Sequence, residues 1–497
     1  MKKQFILWLC LIPTFLCKAQ SFTWTANCLK AYNEAAQLNF NHAHQLAQQE
    51  RKVNSGNLVI AYTESQTDFI RCFISESKED LEILKKRNDA RVAQLSALKI
   101  KSPYIRLFTA EYHLQTAVVR LKFEEFVGAV YETRKAFKLL EENNKLYPDF
   151  KQNLRALGFI HTVVGAAPKN YQWMLNLLGF TGTTQQGLNE LRELLAATSK
   201  QNDLSYLHDE TTVMLTFLEM NLIKDKNNEQ IRKRFRSIAD IEDKPLMLFA
   251  KGVFHFANAE NDSVIKILST RSKPDETYHL DYLEYMEGMA VLNSLDFSAE
   301  NHFKKYVAEF RGKTFIKSAY QRLAWIRLMQ GDKKGYDEYI KLAGEKGAGN
   351  TFSDEDKQAM KEAADREQPN VILLRSRLLF DGGYYQRSIS EIAGKPTTDF
   401  PSLRDKLEFT YRLARIFDKT NKKDKAIQYY LQTIENGKRF RFYFAANSAL
   451  QLGLIYEENK EIDKAETYYR LCLSLRDHEY QNSLDQKAKA GLNRIGK

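Results

Sequence analysis

Apolar residues recur along this chain every three or four positions, the spacing that places them on one face of an α-helix. Leu204, Leu207, Met214 and Leu218 form one such stripe, with Thr211 in the same phase. No stretch sustains the two-residue alternation of a half-buried strand between hairpin turns. Nine prolines and 22 glycines in 497 residues leave few points at which a helix must stop. The pattern predicts an all-α chain from about residue 22 to the end.

Two helix pairs near the C-terminus repeat one another position by position. In the later pair Leu452, Gly453 and Tyr456 are followed by Ala465, Tyr469 and Cys472. In the earlier pair Leu413, Ala414 and Phe417 are followed by Ala426, Tyr430 and Thr433. Ala426 and Ala465 stand 39 residues apart, one tetratricopeptide repeat of roughly 34 residues plus a loop insertion. Small residues are required at Gly453/Ala465 and Ala414/Ala426, because the A and B helices of each pair cross there. Weaker pairs precede these two. Leu374 to Ile392 carries the turn Asp381-Gly382-Gly383-Tyr384, with Ser388 at the alanine position. Leu323-Ala324-Trp325 precedes the turn Gln330-Gly331-Asp332, and Gly288 precedes Asp296-Phe297-Ser298-Ala299. Ala250-Lys251-Gly252 precedes Ala259-Glu260-Asn261-Asp262, and Phe40 and Ala43 begin a helix ending near Asn54-Ser55-Gly56-Asn57. Such a series predicts a tetratricopeptide-like helical-repeat solenoid, a superhelix of antiparallel helix pairs.

Residues 154–194 depart from this pattern, concentrating Gly158, Gly165, Gly179, Gly182 and Gly187. Pro168 should end a helix after Ala166, because its ring blocks helical geometry at the preceding residue. Thr181-Gly182-Thr183-Thr184 offers an N-cap before Gln185, and tight turns between packed helices account for the glycines. The apolar side chains Phe159, Ile160, Val163, Val164, Trp173, Met174, Leu177 and Leu178 are expected in the core, with Trp173 between neighbouring helices. A shallow membrane contact through the same 154–180 hairpin is the rival expectation. The order of features is a glycine-containing apolar helix, a proline, a second apolar helix, a Gly-Phe-x-Gly turn and Gly-Leu-x-x-Leu. Carried by Gly158, Gly165, Pro168, Leu177, Gly179, Phe180, Gly182, Gly187, Leu188 and Leu191, it resembles the central signature of the tetratricopeptide-repeat-39 family. That family includes the yeast inclusion-body-clearance proteins and is described as outer-membrane. The resemblance implies a repeat protein without catalytic residues.

The first residues read as a secretory signal. Lys2 and Lys3 precede an apolar run, Phe5 to Leu16, that is too short to span a bilayer. Cys17-Lys18-Ala19 follows, so cleavage is expected after Ala19 and a mature start at Gln20. Leu16 before Cys17 and Leu9 before Cys10 do not suit lipidation. Export to the periplasm or an outer membrane follows, and with it the expectation of an exported bacterial relative of that family. Loss of Lys2, Lys3 and Lys18 takes the net charge from +11 to +8. Charges alternate in sign along most helices, which marks solvated faces. Arg232-Lys233-Arg234-Phe235-Arg236 reads as an exposed helix end, and no nucleic-acid motif accompanies it. Cys28, Cys72 and Cys472 are expected as small core residues, Cys28–Cys72 being the least implausible pair if one bond formed. The expected organisation is signal 1–19, N-terminal repeats 20–148, a central glycine-containing hairpin insertion 149–200, middle repeats 201–345 and C-terminal repeats 346–497. The polar stretch from Gly347 to Asp354 is the expected break.

Catalytic chemistry finds no footing. The nine histidines are scattered, and His42 and His44 fall about 200° apart on a helix. No metal-binding motif occurs. The Gly179–Gly187 run follows a helix and has no lysine, unlike a phosphate-binding loop. Glu124-Glu125 and Glu457-Glu458 diverge on a helix instead of converging on a cleft. No catalytic residue, cofactor or metal is therefore predicted. Binding is. Helix A of each repeat lines the concave surface, which places Glu408, Tyr411, Arg415 and Asp418 there, followed by Asn447, Gln451, Leu454 and Glu457. Tyr411 and Arg415 suit an anionic or aromatic group, or form an ordinary mixed-charge surface. A chaperone-tail clamp would need Lys and Asn where Tyr411, Arg415 and Leu454 stand. The expected function is an exported, non-enzymatic scaffold for a protein or peptide partner. The alternatives are a membrane- or lipid-associated repeat protein and a glycan-uptake surface protein, the latter lacking a lipidated cysteine.

Overall fold

The helical spacing is realised as twenty-five α-helices among the described residues, with a single isolated bridge, Ser21–Asn57, outside them. The computed structural model describes residues 20–167, 169–223, 227–271, 277–347, 349, 353–365 and 368–497. Residues 1–19, where a signal is expected, and Pro168 lie outside them. The fold is all-α, a tetratricopeptide-like helical-repeat solenoid. It divides into two compact units, the described residues of Met1–Ala250 with Ser272–Leu280 and of Lys251–Arg271 with Asp281–Lys497. The division falls inside one helix, within the stretch that the sequence reads as middle repeats.

The first unit holds α1 (Ala26–Ala36), α2 (Phe40–Val53), α3 (Val59–Ser75), α4 (Lys78–Ser96), α5 (Pro103–Lys122), α6 (Phe126–Leu146), α7 (Asn153–Ala166), α8 (Lys169–Leu177), α9 (Thr184–Thr198), α10 (His208–Leu222) and α11 (Asn228–Arg236). The helix α12 (Pro245–Ala257) begins in it. Helix starts follow local chemistry: Ser77 caps α4 and Ser102, just before Pro103, caps α5. Consecutive helices pack as pairs, α1 on α2, α3 on α4 and α5 on α6, and then α7 on α9 with α8 standing between them in sequence. Leu204 and Leu207 belong to a 3-10 turn, Asn202–Leu207, and pack with Leu154 and Leu194.

Gly158 and Gly187 let α7 and α9 touch backbone to backbone. A Cβ on Gly158 would stand 2.9 Å from the Gly187 carbonyl oxygen, and one on Gly165 would stand 2.6 Å from Thr183 Cα. Three of the five central glycines thus serve helix contact, and only Gly179 and Gly182, at φ +81° and +133°, serve the turn assigned to all of them. Thr183 caps α9, accepting a bond from the Gln186 amide at 3.1 Å.

Two sequence expectations are corrected in this unit. Trp173 is 66% exposed, Met174 40% and Leu177 77%. They lie at i, i+1 and i+4 on one face of α8, and that face is open. The reason is that Ala156, Leu157, Ile160 and Val164 of α7 already occupy the core, leaving Leu175 of α8 and Leu178 just after it to pack against them. Val163 on α7 is exposed as well. The basic cluster on α11 is also no plain exposed end. Arg234 is buried and bonds Glu219 at 2.5 Å, and Phe235 is core.

The second unit contains α13 (Asn261–Ser269), α14 (Asp281–Asn293), α15 (Ala299–Glu309), α16 (Ile316–Met329), α17 (Lys333–Glu345), α18 (Asp354–Asp365), α19 (Val371–Asp381), α20 (Tyr385–Ile392), α21 (Leu403–Lys419), α22 (Lys423–Gly437), α23 (Tyr443–Glu458), α24 (Ile462–Ser474) and α25 (Gln481–Arg494). The pairs α14–α15, α16–α17, α19–α20, α21–α22 and α23–α24 are those the small residues predict. Ala299, Ala324, Ser388, Ala414, Ala426 and Ala465 are all fully buried. Ser388 meets Ser376 across its pair at 3.0 Å. Beyond the pairs, α18 packs on α16 and α17, and α25 lies against α23 and α24. The expected break at Gly347–Asp354 falls partly outside the described residues. Cys28, Cys72 and Cys472 are free and buried, as small core residues should be.

Candidate functional site

In the second unit the first helices of successive pairs, α16, α19, α21 and α23, lie side by side. Their flanks and α18 enclose a cleft of about 850 Å³, counting its open mouth. Local sequence sets its walls. Asn370 caps α19 by accepting from the Ile372 amide at 3.0 Å, and Ser402 caps α21 by accepting from the Asp405 amide at 3.0 Å. Those caps fix where each helix begins, so Arg404, Glu408 and Arg412 fall one turn apart on the face that lines the cleft. Trp325 of α16, Leu374 and Arg377 of α19, and Tyr443 and Phe444 of α23 complete that side. Gln358, Lys361, Glu362 and Asp365 of α18 form the other. Glu479 and Tyr480, from the link between α24 and α25, reach into it.

The charged groups are matched. Arg412 donates to Glu408 at 3.0 and 2.7 Å. Burial pushes the Glu408 carboxyl up, but Arg412, with Arg377 and Arg404 behind it, outweighs burial and holds it below the usual carboxylate range. Two guanidinium groups lie over the Trp325 ring, Arg322 at 4.0 Å and Arg377 at 5.3 Å from its centroid. Its indole N–H donates to Glu362 at 2.9 Å, which also accepts from Gln321 at 2.5 Å and Tyr336 at 3.0 Å. Burial still raises the Glu362 carboxyl above its ordinary value. Glu479 is held by Lys361 and by Arg404 at 2.9 Å, and beside it Tyr480 meets the Tyr443 ring edge-on, 5.2 Å between centroids. Burial raises the Glu479 carboxyl, and its two cations more than offset this. Glu362 is thus taken up by indole, amide and phenol donors, and Glu408 and Glu479 by cations.

Of the eight residues predicted for the concave face, Tyr411, Arg415, Asn447 and Gln451 are linked by hydrogen bonds, and Glu408 alone of the eight lines the cleft. Tyr411 is 3% exposed, its hydroxyl accepting from Arg415 at 3.1 Å and from Asn447 at 3.0 Å. Tyr411 and Arg415, expected either to suit an anionic or aromatic group or to form an ordinary mixed-charge surface, bond each other, and Arg415 also lies over Phe380 at 5.2 Å. Gln451 donates to Asn447 at 3.0 Å, and Asp418 pairs with Lys423 at 2.9 Å. Leu454 packs on the core, and Glu457 accepts two bonds from Arg494, both at 2.8 Å. Sequence reasoning missed Trp325, Arg377, the α18 face and the Glu479–Tyr480 link. The i, i+4 run Arg404, Glu408, Arg412 was the available signal, since it sets a stripe of alternating charge along one side of the helix.

Elsewhere in this unit Glu284, Glu287 and His302 bring possible ligand atoms within 4.8 Å of one another. Lys305 lies 3.0 Å from Glu284 and Arg271 2.6 Å from Glu287, so two resident cations neutralise the carboxylates there.

Comparisons with known proteins bear on this region. A tetratricopeptide-repeat family model matches residues 407–435 and 446–478. No curated protein gives a significant match. Among solved structures, the chain is similar to one described as the crystal structure of the APC/C hetero-tetramer Cut9-Hcn1. The identity is 14% and the TM-score 0.24, over 93% of this chain and 95% of that one. The two matched segments are the helix pairs α21–α22 and α23–α24, so two tetratricopeptide repeats stand where the paired small residues predict them.

Proposed function

We propose that this chain is an exported, non-enzymatic scaffold that holds a protein or peptide partner in the cleft beside α19, α21 and α23. The observation that carries the reading is the cleft itself, walled by aromatic rings, by guanidinium groups and by carboxylates. Stacked repeats bury a continuous core and leave an extended groove, so the geometry suits a polypeptide segment. A photo-crosslinking residue at Gln358 or Asp405 should capture a partner in native envelope preparations, and one at Gln428, exposed on α22, should not. Equal capture at all three positions, or none, would count against it.

Export is supported by Lys2, Lys3, the apolar Phe5–Leu16 run and Cys17-Lys18-Ala19. Mass spectrometry of the native N-terminus should find Gln20; a retained Met1 or a diacylated Cys17 would refute it. Kinship with the tetratricopeptide-repeat-39 family belongs to the same reading, and the Gly158–Gly187 contact supplies a physical reason for two of the shared glycines.

A second role is favoured by the open face of α8. Trp173, Met174 and Leu177 present adjoining apolar surface of the kind that enters a membrane interface. No described helix is long and apolar enough to cross a membrane. Co-sedimentation with anionic liposomes, lost on Trp173→Ala, would establish this contact, and equal sedimentation of both chains would dismiss it.

A further inference from the structure

The link between α24 and α25 places a carboxylate and a phenol inside the cleft of the second unit, and its attachment there is incomplete. Glu479 engages Lys361 and Arg404 through one oxygen, Oε1. Its other oxygen, Oε2, is buried and has no hydrogen-bond partner among the described residues, although the side chain is only 9% exposed. A carboxylate in its best site beside a guanidinium is held through both oxygens. Tyr480 rests edge-on against Tyr443, yet remains 42% exposed.

The link is also weakly tied to the walls it touches. Its backbone bonds run to its own neighbours: Leu475 N–H to the Leu471 carbonyl at 3.3 Å, Asp477 N–H to Gln481 Oε1 at 2.9 Å, His478 Nδ1 with the Glu479 carbonyl at 2.7 Å and Leu484 N–H to the Tyr480 carbonyl at 3.0 Å. Asp477 and Tyr480 have φ of +58° and +59°, the left-handed region that side chains disfavour. The contact with the cleft therefore rests on side chains, and the backbone bends against its own preference to deliver them.

We infer that this cleft takes an acidic–aromatic peptide segment from a partner, and that Glu479-Tyr480 occupies its place in the free chain. The inference rests on the scaffold reading and names the chemistry of the partner. The cations Lys361 and Arg404 receive the acidic residue, the ring of Tyr443 receives the aromatic one that follows it, and a better-placed carboxylate gains the second bond that Glu479 lacks. Because the link is tethered, it competes at an effective concentration in the millimolar range. Removing it should raise the apparent affinity for an untethered segment.

The test uses a fluorescein-labelled peptide with the sequence of residues 476–481 and a second peptide with its Glu replaced by Gln. Fluorescence anisotropy is measured with the full chain, with Glu479→Gln, with Tyr480→Ala, and with Lys361→Gln/Arg404→Gln added to Glu479→Gln. The acidic peptide should bind the Glu479→Gln chain at least tenfold more tightly than the unaltered chain. It should lose that gain when Lys361 and Arg404 are replaced, and the Gln peptide should bind poorly throughout. Tyr480→Ala leaves both cations paired, so it serves where Glu479→Gln lowers the melting temperature, and it should strengthen binding in the same direction. A purely structural link would show a lowered melting temperature and no gain in binding by either variant, which overturns the inference. Partner capture at Gln358 alongside that negative result would leave the scaffold reading standing and remove only this one.

Discussion

Tyr469 on α24 is packed so closely against Gly453 on α23 that a Cβ at Gly453 would stand 2.6 Å from the ring. Gly491 of α25 approaches the same ring, at 2.6 Å from a Cβ to Cε2. The ring is fully buried, and its hydroxyl bonds Glu457. It has no room to yield. Gly453→Leu should therefore overpack the crossing and cost at least about 1–3 kcal/mol. Thermal melting checks this, and an unchanged midpoint would mean that the repeat register is misread.

In the first unit, Arg155 is the buried hub of five helices. It bonds Tyr32 at 3.0 Å, Tyr62 at 2.8 Å, Glu111 at 2.9 Å and also Glu210. Replacing it by Met leaves buried Glu111 and half-buried Glu210 without their cation, a loss on the order of 3–5 kcal/mol. Adding Glu111→Gln and Glu210→Gln should recover part of that loss. Urea denaturation of the three chains measures both effects.

The open face of α8 reverses the stability expected from sequence. Trp173→Ala should change stability by less than about 0.5 kcal/mol, as an exposed substitution does. Phe180→Ala, which empties a core position 3% exposed, should cost about 3–5 kcal/mol. Denaturant midpoints of the two variants discriminate, and equal losses would place Trp173 back in the core.

Glu284 makes stability depend on acid. Burial alone would raise its carboxyl, but bonds to His302 at 2.7 Å and Lys305 at 3.0 Å outweigh it and hold the group at about 2. A folded value below the unfolded one, about 4.3, means the contribution is full above that unfolded value and is lost as pH falls through about 2. At pH 7 it is on the order of 2–3 kcal/mol. The stability gap between the natural chain and Glu284→Gln should narrow steadily from pH 5 to pH 2. A gap independent of pH would contradict the assignment.

Burial pushes the thiols of Cys72 and Cys472 up to about 12, and that of Cys28 up as well. Thiolate is the reactive form, so native protein at pH 8 should leave all three unreacted with a disulfide reagent. All three should react after denaturation. Rapid native labelling of any of them would show that its helix pair opens.

How much of this was legible beforehand follows from the range over which each cause acts. Helix spacing and crossing points are local properties: the 3.6-residue period and the need for Ala414, Ala426, Gly453 and Ala465 where backbones meet are written in short windows of sequence. They determine the fold class and the pairs α14–α15, α16–α17, α19–α20, α21–α22 and α23–α24. The same windows say that the apolar residues of α8 must meet something apolar, and stop there. Which of its faces is covered depends on the tertiary core, where Ala156, Leu157, Ile160 and Val164 of α7 meet Leu175 and leave Trp173 outside. The cleft was likewise settled at a distance. Tyr411 is unavailable because Asn447, 36 residues on, bonds it, and Arg404 is engaged by Glu479, 75 residues on. A helical period announces which side chains share a face, and only the packing of one helix on another decides which of them remain open to a partner.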